Sequence, residues 1–224
     1  MRCCWLALVC VGLSACPDPI TITSSGEDTW KYFPLDGDRT WTYQSDNTSL
    51  PYRLVAHKPA ENEVINDLGT RAYTITFSAD CLGIDPPCDA DADGDSVPDV
   101  ETTPLFVWKF SSDSSRGAQF HAFNDEIFDP AVKLASADMS DTEVVTTESG
   151  GTTFNASIIS EEPCDVPYWR GQPPEGCKVF QLDDGGAGSP IAGEYMSIVQ
   201  FGIVRFRQGA DGDTWSLKAY EDEL

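Results

Sequence analysis

The segment Arg71-Ala72-Tyr73-Thr74-Ile75-Thr76-Phe77 alternates apolar and polar side chains with a period of two residues. Successive side chains of a β-strand point to opposite faces of the sheet, so this pattern predicts a strand with one buried face. The segment Ile203-Val204-Arg205-Phe206-Arg207 shows the same alternation in a weaker form. Because helical periodicity is nearly absent from the chain, strands of this kind are expected to set the fold.

Short runs rich in β-branched and aromatic residues, separated by turn residues, extend this strand pattern along the chain. They predict strands over residues 40–43, 52–57, 71–78, 105–110, 118–123, 143–147, 154–160, 178–182, 195–199, 202–207 and 214–220. Two hairpins are expected, one joining Phe110 to Ala118 and one joining Arg207 to Thr214. The best helical candidate follows Asp129-Pro130, where Asp can cap a helix and Pro suits its first turn. We expect an all-β fold, a single antiparallel domain built as a curved meander, an open barrel or a sandwich.

The charge balance of the chain restricts its partners. Thirty-seven acidic residues face 14 Lys and Arg in 224 residues, a formal net charge of −23. Nucleic acid and anionic lipid headgroups are poor partners for such a surface. The acidic residues are spread along the chain, which is typical of a solvated exterior. With 41% hydrophobic and 11% aromatic residues, the composition indicates a folded chain with one main domain.

An apolar leader opens the sequence. Met1-Arg2 carries one positive charge, residues 3–13 carry none, and the small pair Ser14-Ala15 follows. This is the build of a secretory signal peptide. About 20 apolar residues are needed to span a bilayer as a helix, so the leader is too short for a permanent transmembrane segment.

The segment Leu13-Ser14-Ala15-Cys16 resembles the bacterial lipobox. The resemblance implies cleavage before Cys16 and attachment of a diacylglyceryl group to its thiol. It divides the chain into a lipoprotein signal peptide (1–15), a lipidated Cys with a flexible tether (16–29) and a β domain (30–224). The mature chain would have 13 basic and 37 acidic residues, a charge of −24. We expect an exported lipoprotein that contacts the membrane through its anchor, in the outer membrane on its periplasmic face or at the cell surface. The alternative is an ordinary signal peptide that contains cysteines.

Four cysteines remain after the leader and the lipidated Cys16 are set aside: Cys81, Cys88, Cys164 and Cys177. An even number in an exported chain indicates disulfides, and three pairings are possible. The local pairing, Cys81 with Cys88 and Cys164 with Cys177, is favoured because both loops are short and rich in Pro or Gly. Free or metal-binding thiols are the alternative.

An acidic loop follows Cys88, with the sequence Asp89-Ala90-Asp91-Ala92-Asp93-Gly94-Asp95-Ser96-Val97-Pro98-Asp99. Alternate carboxylates in a tight loop converge, and Ca²⁺ takes six to eight oxygen ligands. A frame starting at Asp89 places Gly94 at the EF-hand glycine but ends without a bidentate Glu. Residues 91–99 resemble the thrombospondin type 3 repeat, "DxDGDGVPD", which implies side-chain ligands at Asp91, Asp93, Asp95 and Asp99 and the carbonyl of Val97. We expect a structural Ca²⁺ site in an insertion at 81–101, with a solvated acidic loop as the alternative.

Further segments bear on function. The residues Tyr32-Phe33-Pro34-Leu35, Gly37, Trp41 and Tyr43 resemble the "YFPL..G..W.Y" opening of many uncharacterised bacterial lipoproteins, which implies a β domain. Trp41 and Tyr43 are expected to be core residues. The loop between Cys164 and Cys177 carries Tyr168, Trp169 and Arg170, whose composition suits a binding surface. The alternative is an aromatic pair that forms the loop's own small core.

The sequence shows little catalytic machinery. His57 and His121 are expected to be packing or surface residues, and no GxSxG, HExxH or phosphate-loop motif occurs. We therefore expect a non-enzymatic envelope protein with a binding or structural role, whose partner is an envelope protein, a glycan or a lipid. The alternative is a carrier or chaperone that encloses an apolar lipid or lipoprotein ligand in a half-barrel cavity. A hydrolase is the third possibility.

Overall fold

The computed structural model describes residues 28–50, 52–64, 71–81, 104–164, 176–209 and 212–223. These residues form one 3₁₀ turn, Thr29–Tyr32, and thirteen antiparallel strands. The strands are β1 (Asp38–Ser45), β2 (Tyr52–Lys58), β3 (Glu63–Val64), β4 (Arg71–Cys81), β5 (Phe106–Asp113), β6 (Gly117–Phe123), β7 (Glu126–Ala135), β8 (Val144–Ser149), β9 (Thr152–Glu162), β10 (Cys177–Asp183), β11 (Gly193–Ile198), β12 (Gly202–Gln208) and β13 (Thr214–Glu223).

The strands follow one another around a curved sheet. Apart from β3, which pairs with β4 outside the main path, strands that follow one another in sequence pair along the sheet, with the exception of β7 and β8. The strand β1 also pairs with β13. The order β7-β6-β5-β4-β2-β1-β13-β12-β11-β10-β9-β8 leaves β7 and β8 as the two edges. The result is a nearly closed barrel with an open seam between β7 and β8, which is the curved meander or open barrel that the strand pattern predicts.

Aromatic side chains fill the barrel. Phe77 on β4 lies 6.0 Å from Phe206 on β12, and Trp108 on β5 lies 6.1 Å from Tyr195 on β11, measured between ring centroids. These rings come from opposite walls of the sheet, so the walls are in direct contact through their aromatic residues. Period-two patterning therefore produces a packed core, as it does in small barrels.

The residues Thr29–Leu35 form a plug at one end of the barrel. The Thr29 backbone N–H donates to the Ala137 carbonyl at 3.0 Å, and the ring of Phe33 lies 5.8 Å from Phe110 and 5.0 Å from Phe180. Thr29 is buried, so its side chain packs with the end of the barrel. The "YFPL" segment therefore contributes side chains to the hydrophobic core. Trp41 and Tyr43 are core residues as expected.

Two buried cations hold the plug end of the barrel together. Arg39 donates to the backbone oxygens of Asp36 and Gln200 at 2.7 and 3.0 Å and also bonds Tyr220. Lys58 is fully buried, donates to the carbonyls of Gly37 and Pro59, and lies 4.2 Å from the Tyr73 ring centroid. Burial is the main cause that lowers the pKa of Lys58 from 10.5 to about 8, with the Arg39 charge second.

Each of the eleven predicted strand segments overlaps an observed strand and extends at most one residue beyond it, and both hairpins form, as β5–β6 and β12–β13. The helix predicted after Asp129-Pro130 is wrong, because β7 continues through this pair. Val132 and Leu134 are buried on either side of the half-buried Lys133. This period-two burial outweighs the local capping signal. β3 was not predicted, and its two residues are too few to show an alternation.

Candidate functional site

Among the described residues, the core side chains surround one small cavity. The cavity among Phe33, Trp41, Phe77, Trp108 and Phe110 has a volume of about 30 Å³, room for roughly one water molecule. A pocket for a small organic ligand has a volume of about 300 to 1,000 Å³. The aromatic core thus occupies the space that an enclosed ligand would need.

A much larger hollow lies on the outer face, along the edge strands. This seam groove has a volume of about 1270 Å³ and runs from β3 across β5, β6 and β7 to β8. Its lining includes Lys109, Gln119, His121, Ile127, Lys133 and Thr147. The groove follows the line where the sheet stays open, so the topology of the fold accounts for its position.

Cross-strand register brings three polar side chains into one row on the outer face, two of which line the groove. Ser111 on β5 is paired with Gln119 on β6, and Gln119 is paired with Lys133 on β7. The preceding residue on each strand faces the core: Phe110, Ala118 and Val132 are all buried apolar residues. Since side chains alternate between faces, Ser111, Gln119 and Lys133 point outward. At the seam, the Lys133 backbone N–H donates to Thr147 Oγ1 at 3.3 Å.

Two groups in this row have no partner within the described part of the chain. Gln119 is only 8% exposed, lines the groove, and its amide makes no hydrogen bond. The Lys133 ammonium forms no ion pair with any carboxylate of the described residues. The amide atoms of Gln119 are not among the fully buried side-chain atoms that lack a partner, so they are open to water in the groove. Both groups are therefore available to a ligand that enters the groove, but neither requires one.

His121 lies beside this row and contacts Ser111. The distance between Ser111 Oγ and His121 Nε2 is 2.7 Å, and both side chains are buried. Burial, and second the charge of Arg116, lower the pKa of His121 from 6.5 to about 4. The imidazole is therefore neutral near pH 7. A catalytic serine must reach its substrate, whereas Ser111 is 5% exposed, so in this conformation the contact holds His121 in place.

One wall of the groove is fixed by an ion pair. Glu63 on β3 accepts from Lys109 Nζ at 2.8 Å and from Thr74 Oγ1 at 2.9 Å. The hydrogen bond from Lys109, followed by that from Thr74, lowers the pKa of Glu63. The two-residue strand β3 thus secures the outer rim of the groove against β4 and β5.

A second hollow, at the plug end, differs from the seam groove in its polar groups. It has a volume of about 740 Å³ and is lined by Trp30, Pro34, Arg39 and Gln200, among others. Arg39 already donates to Asp36, Gln200 and Tyr220, which lie in or beside this hollow. Because Arg39 donates its hydrogen bonds to other residues of the protein, its role in the plug-end hollow is to stabilise the fold.

The structure locates only part of the residues singled out from the sequence. Cys164 and Cys177 form a disulfide with Cα atoms 5.3 Å apart, in agreement with half of the local pairing. Cys88, the lipidation site Cys16, the loop residues Tyr168, Trp169 and Arg170, and the calcium ligands Asp89, Asp91, Asp93, Asp95, Val97 and Asp99 lie outside the described residues. Within the described ranges, no group of three or more His, Cys, Asp or Glu side chains is arranged to hold a metal ion.

Sequence reasoning did not find the seam groove. Its floor comes from Gly117-Ala118-Gln119-Phe120-His121-Ala122-Phe123, where two polar residues interrupt an aromatic run. These two polar residues are the only indication of the groove in the sequence. They lie on the outer face of β6 and are buried there. The contact of β7 with β8 depends on how the whole sheet closes. The alternation of residues within a single segment does not predict that closure.

Comparison with models of protein families, with curated proteins and with solved structures gives no match for this chain. No helix in the described ranges has the length and apolar character needed to cross a membrane. The assignment of function therefore depends on the residues themselves and on their arrangement in the barrel.

Proposed function

We propose that the protein is a lipid-anchored cell-envelope protein with a non-enzymatic binding role, and that its ligand binds in the seam groove on the outside of the barrel. One observation carries this proposal: the cavity among the core aromatic residues has a volume of about 30 Å³, whereas the outer groove has a volume of about 1270 Å³. The lipobox resemblance at Cys16 supplies the anchor.

The same observation weighs against the carrier alternative. A carrier would enclose an apolar ligand, and each buried methylene of an acyl chain needs space inside the sheet. In this structure that space is filled by aromatic residues such as Phe77, Trp108 and Phe206. A carrier of an apolar ligand would require the two walls of the barrel to separate, and the contacts between these rings would then be lost.

The topology supports an orientation relative to the membrane. The plug and the Cys164–Cys177 disulfide lie at one end of the barrel, and the ends of β4 and β5 that flank residues 82–105 lie at the other. Eleven residues separate Cys16 from Asp28, and the twelve Cα–Cα steps span at most about 40 Å when extended. A lipid on Cys16 would hold the plug end toward the bilayer and leave the seam groove accessible from the side.

We also propose a structural Ca²⁺ ion in the loop containing residues 89–99, held by the carboxylates of Asp91, Asp93, Asp95 and Asp99 and the carbonyl of Val97. Thermal unfolding in millimolar Ca²⁺ and in chelator tests this site, since an ion that binds the folded chain raises its melting temperature. Equal melting temperatures in the two buffers would remove calcium from the proposal.

Two measurements test the anchored binding role. In detergent phase partitioning of the expressed full chain, we expect the wild type in the detergent phase and the Cys16→Ala variant in the aqueous phase. A fluorescent fatty acid titrated into the purified chain should show no stoichiometric binding. Recovery of Cys16→Ala in the detergent phase would disprove the anchor, and one-to-one fatty-acid binding would favour the carrier.

A further inference from the structure

We propose that the plug holds β7 and β8 against each other across the seam, and that the two strands separate when the plug detaches from the barrel. The plug would then control the width of the seam groove, because both strands line that groove. This inference goes beyond the proposed binding role and does not depend on what the groove binds. Three features of the molecule carry it: a seam without a ladder, a plug that contacts both halves of the sheet, and hydrogen bonds from the plug to the connection between the seam strands.

The seam lacks the backbone ladder that joins neighbouring strands along the rest of the main sheet. β7 and β8, both fully described, lie at the two ends of the strand order. In place of a ladder, the Lys133 N–H donates to Thr147 Oγ1 at 3.3 Å, and the ring of Phe128 on β7 lies 6.2 Å from Phe154 on β9. Regions with few contacts open locally at a lower free energy than the whole fold. The seam is therefore a place where contacts from another element decide whether the edges stay together.

The plug joins the two halves of the sheet from inside the barrel. β5 is the third strand from the β7 edge, and β10 is the third strand from the β8 edge. The ring of Phe33 lies 5.8 Å from Phe110 on β5 and 5.0 Å from Phe180 on β10. In addition, the hydroxyl of Ser112 on β5 donates to the Trp30 carbonyl at 2.9 Å. The plug thus connects two halves that the seam leaves without a ladder.

The plug also fixes the connection that leads from β7 to β8. The Thr29 backbone N–H donates to the Ala137 carbonyl at 3.0 Å, and the Thr29 hydroxyl donates to the Ser136 carbonyl. Both acceptors come directly after β7, and Thr29 is fully buried. From the other half of the sheet, Lys178 Nζ on β10 lies 3.0 Å from Asp141 Oδ1 of the same connection. Detachment of the plug would leave this connection held mainly from the β10 side.

The methionines of the chain provide a probe of this opening. The sequence has three, of which Met1 begins the leader. Met139 lies in the β7–β8 connection and is 1% exposed, whereas Met196 lies on β11 within the sheet and is 6% exposed. Hydrogen peroxide converts an accessible methionine to its sulfoxide. The oxidation rate of Met139 therefore measures how often the connection opens, and Met196 is the internal reference.

Substitutions in the plug test whether it controls this opening. The full chain in mild detergent is treated with hydrogen peroxide, and each methionine is followed by mass spectrometry. Thr29→Val keeps the side-chain volume but removes the hydroxyl that bonds Ser136, so it should speed oxidation of Met139 about two- to tenfold. Phe33→Leu weakens the ring contacts with both halves of the sheet and should speed it about fivefold or more. Oxidation of Met196 should rise less than oxidation of Met139 in both variants.

Further variants separate opening at the seam from local loosening and from global unfolding. Thr147→Val removes the acceptor across the seam and should also speed oxidation of Met139 by about two- to tenfold, because the same event breaks that hydrogen bond. Thr42→Val, in the middle of the sheet on β1, is the control for the hydroxyl changes and should leave the rate within about twofold. Phe206→Leu is the control for Phe33→Leu, since Phe206 is a buried ring on β12 whose ring contacts are with other strands. It should lower the urea midpoint without speeding oxidation of Met139, because those contacts persist when only the seam opens.

Three results would overturn the inference. Unchanged oxidation of Met139 in both Thr29→Val and Phe33→Leu would show that the connection opens without detachment of the plug. Faster oxidation in these variants but not in Thr147→Val would show that the plug detaches while β7 and β8 stay together. Equal acceleration by Phe206→Leu would mean that only global unfolding exposes the sulfur. Each of these results would leave the lipid anchor and the binding role of the groove as proposed, since neither is measured here.

Discussion

The imidazole of His121 shows how the sheet can bury a titratable group on its outer face. Its Nε2 lies 2.7 Å from Ser111 Oγ, and the charge of Arg116 acts on it in addition to burial. Both causes disfavour the protonated form. Because the unfolded chain binds a proton on His121 near pH 6.5 and the folded chain only near pH 4, the folded state loses stability as the pH falls through this interval.

We predict that His121→Gln removes part of the acid sensitivity of the fold. Between pH 7 and pH 5 the free energy of unfolding of the wild type should fall by about 2 kcal/mol more than that of the variant. Urea unfolding at the two pH values measures this difference. His57→Gln, which removes the surface histidine, is the control and should behave as the wild type. Parallel pH dependence of the wild type and His121→Gln would contradict the prediction.

Lys58 should show the complementary behaviour at high pH. Its pKa in the folded chain is about 8, below the usual 10.5, so folding is opposed while the amine is protonated in both states. Raising the pH from 7 to 9.5 should stabilise the wild type by about 2 kcal/mol relative to Lys58→Met. Urea unfolding at both pH values is the measurement, with Lys218→Met as the control. A wild type that gains nothing relative to Lys58→Met would show that the buried amine is not linked to folding.

At the level of elements, the plug and the β6–β7 pair each require a particular type of residue at one position. The plug needs a large ring at Phe33, which is 3% exposed and lies between Phe110 and Phe180. The β6–β7 pair needs a residue without a Cβ at Gly117, where the backbone of the segment after β7 comes very close. At Phe33 the side chain must fill volume in the core, whereas at Gly117 the absence of a Cβ leaves room for the neighbouring backbone.

Phe33→Ala should destabilise the fold by about 3 to 5 kcal/mol, because it removes a buried ring and leaves a cavity between β5 and β10. Phe33→Leu, which keeps most of the volume, should cost about 1 to 2 kcal/mol. Urea unfolding gives both values. If the alanine variant were as stable as the leucine variant, the plug would not be part of the cooperative core.

Gly117→Ala and Gly150→Ala form a matched pair for the β6–β7 contact. Both glycines have positive φ, +81° and +58°, but a Cβ at Gly117 would lie 2.1 Å from the Ala135 oxygen while one at Gly150 would meet nothing within 4 Å. We expect about 1 kcal/mol of destabilisation at Gly150, from its left-handed backbone, and at least about 3 kcal/mol at Gly117. Thermal unfolding of both variants tests this, and similar losses would contradict the close approach.

The elements also show how far the sequence was informative. Strands such as β4 and β12 were predictable because alternation is a local property that the folded sheet preserves. β7 was not, because Asp129-Pro130 resembles a helix start and only its contacts with β6 reveal a strand. The seam groove depends on which strands become edges, and this follows from the pairing of β1 with β13, two segments far apart in the chain. The position of Gln119 and Lys133 in this groove could therefore not be predicted from local sequence patterns.

For the molecule as a whole, charge is the dominant feature. A formal net charge of −23 on one compact domain generates self-repulsion, which dissolved salt screens. We predict that the melting temperature, measured with a chelator present, rises by a few degrees when NaCl is increased from about 10 to 150 mM. Sorbitol of equal osmolality serves as the uncharged control. A melting temperature that falls with NaCl would mean that ion pairs such as Lys109–Glu63 outweigh the repulsion.

The pairing of β1 with β13 also determines when the barrel can be completed during synthesis. As the chain emerges from a ribosome or a translocation channel, strands β1 to β7 and strands β8 to β12 can form two separate groups, but β1 and β12 each keep one free edge until β13 arrives between them. Exposed edges promote aggregation, and long-range pairing is slow. These two edges are therefore exposed to pairing with other chains until the last strand has been delivered.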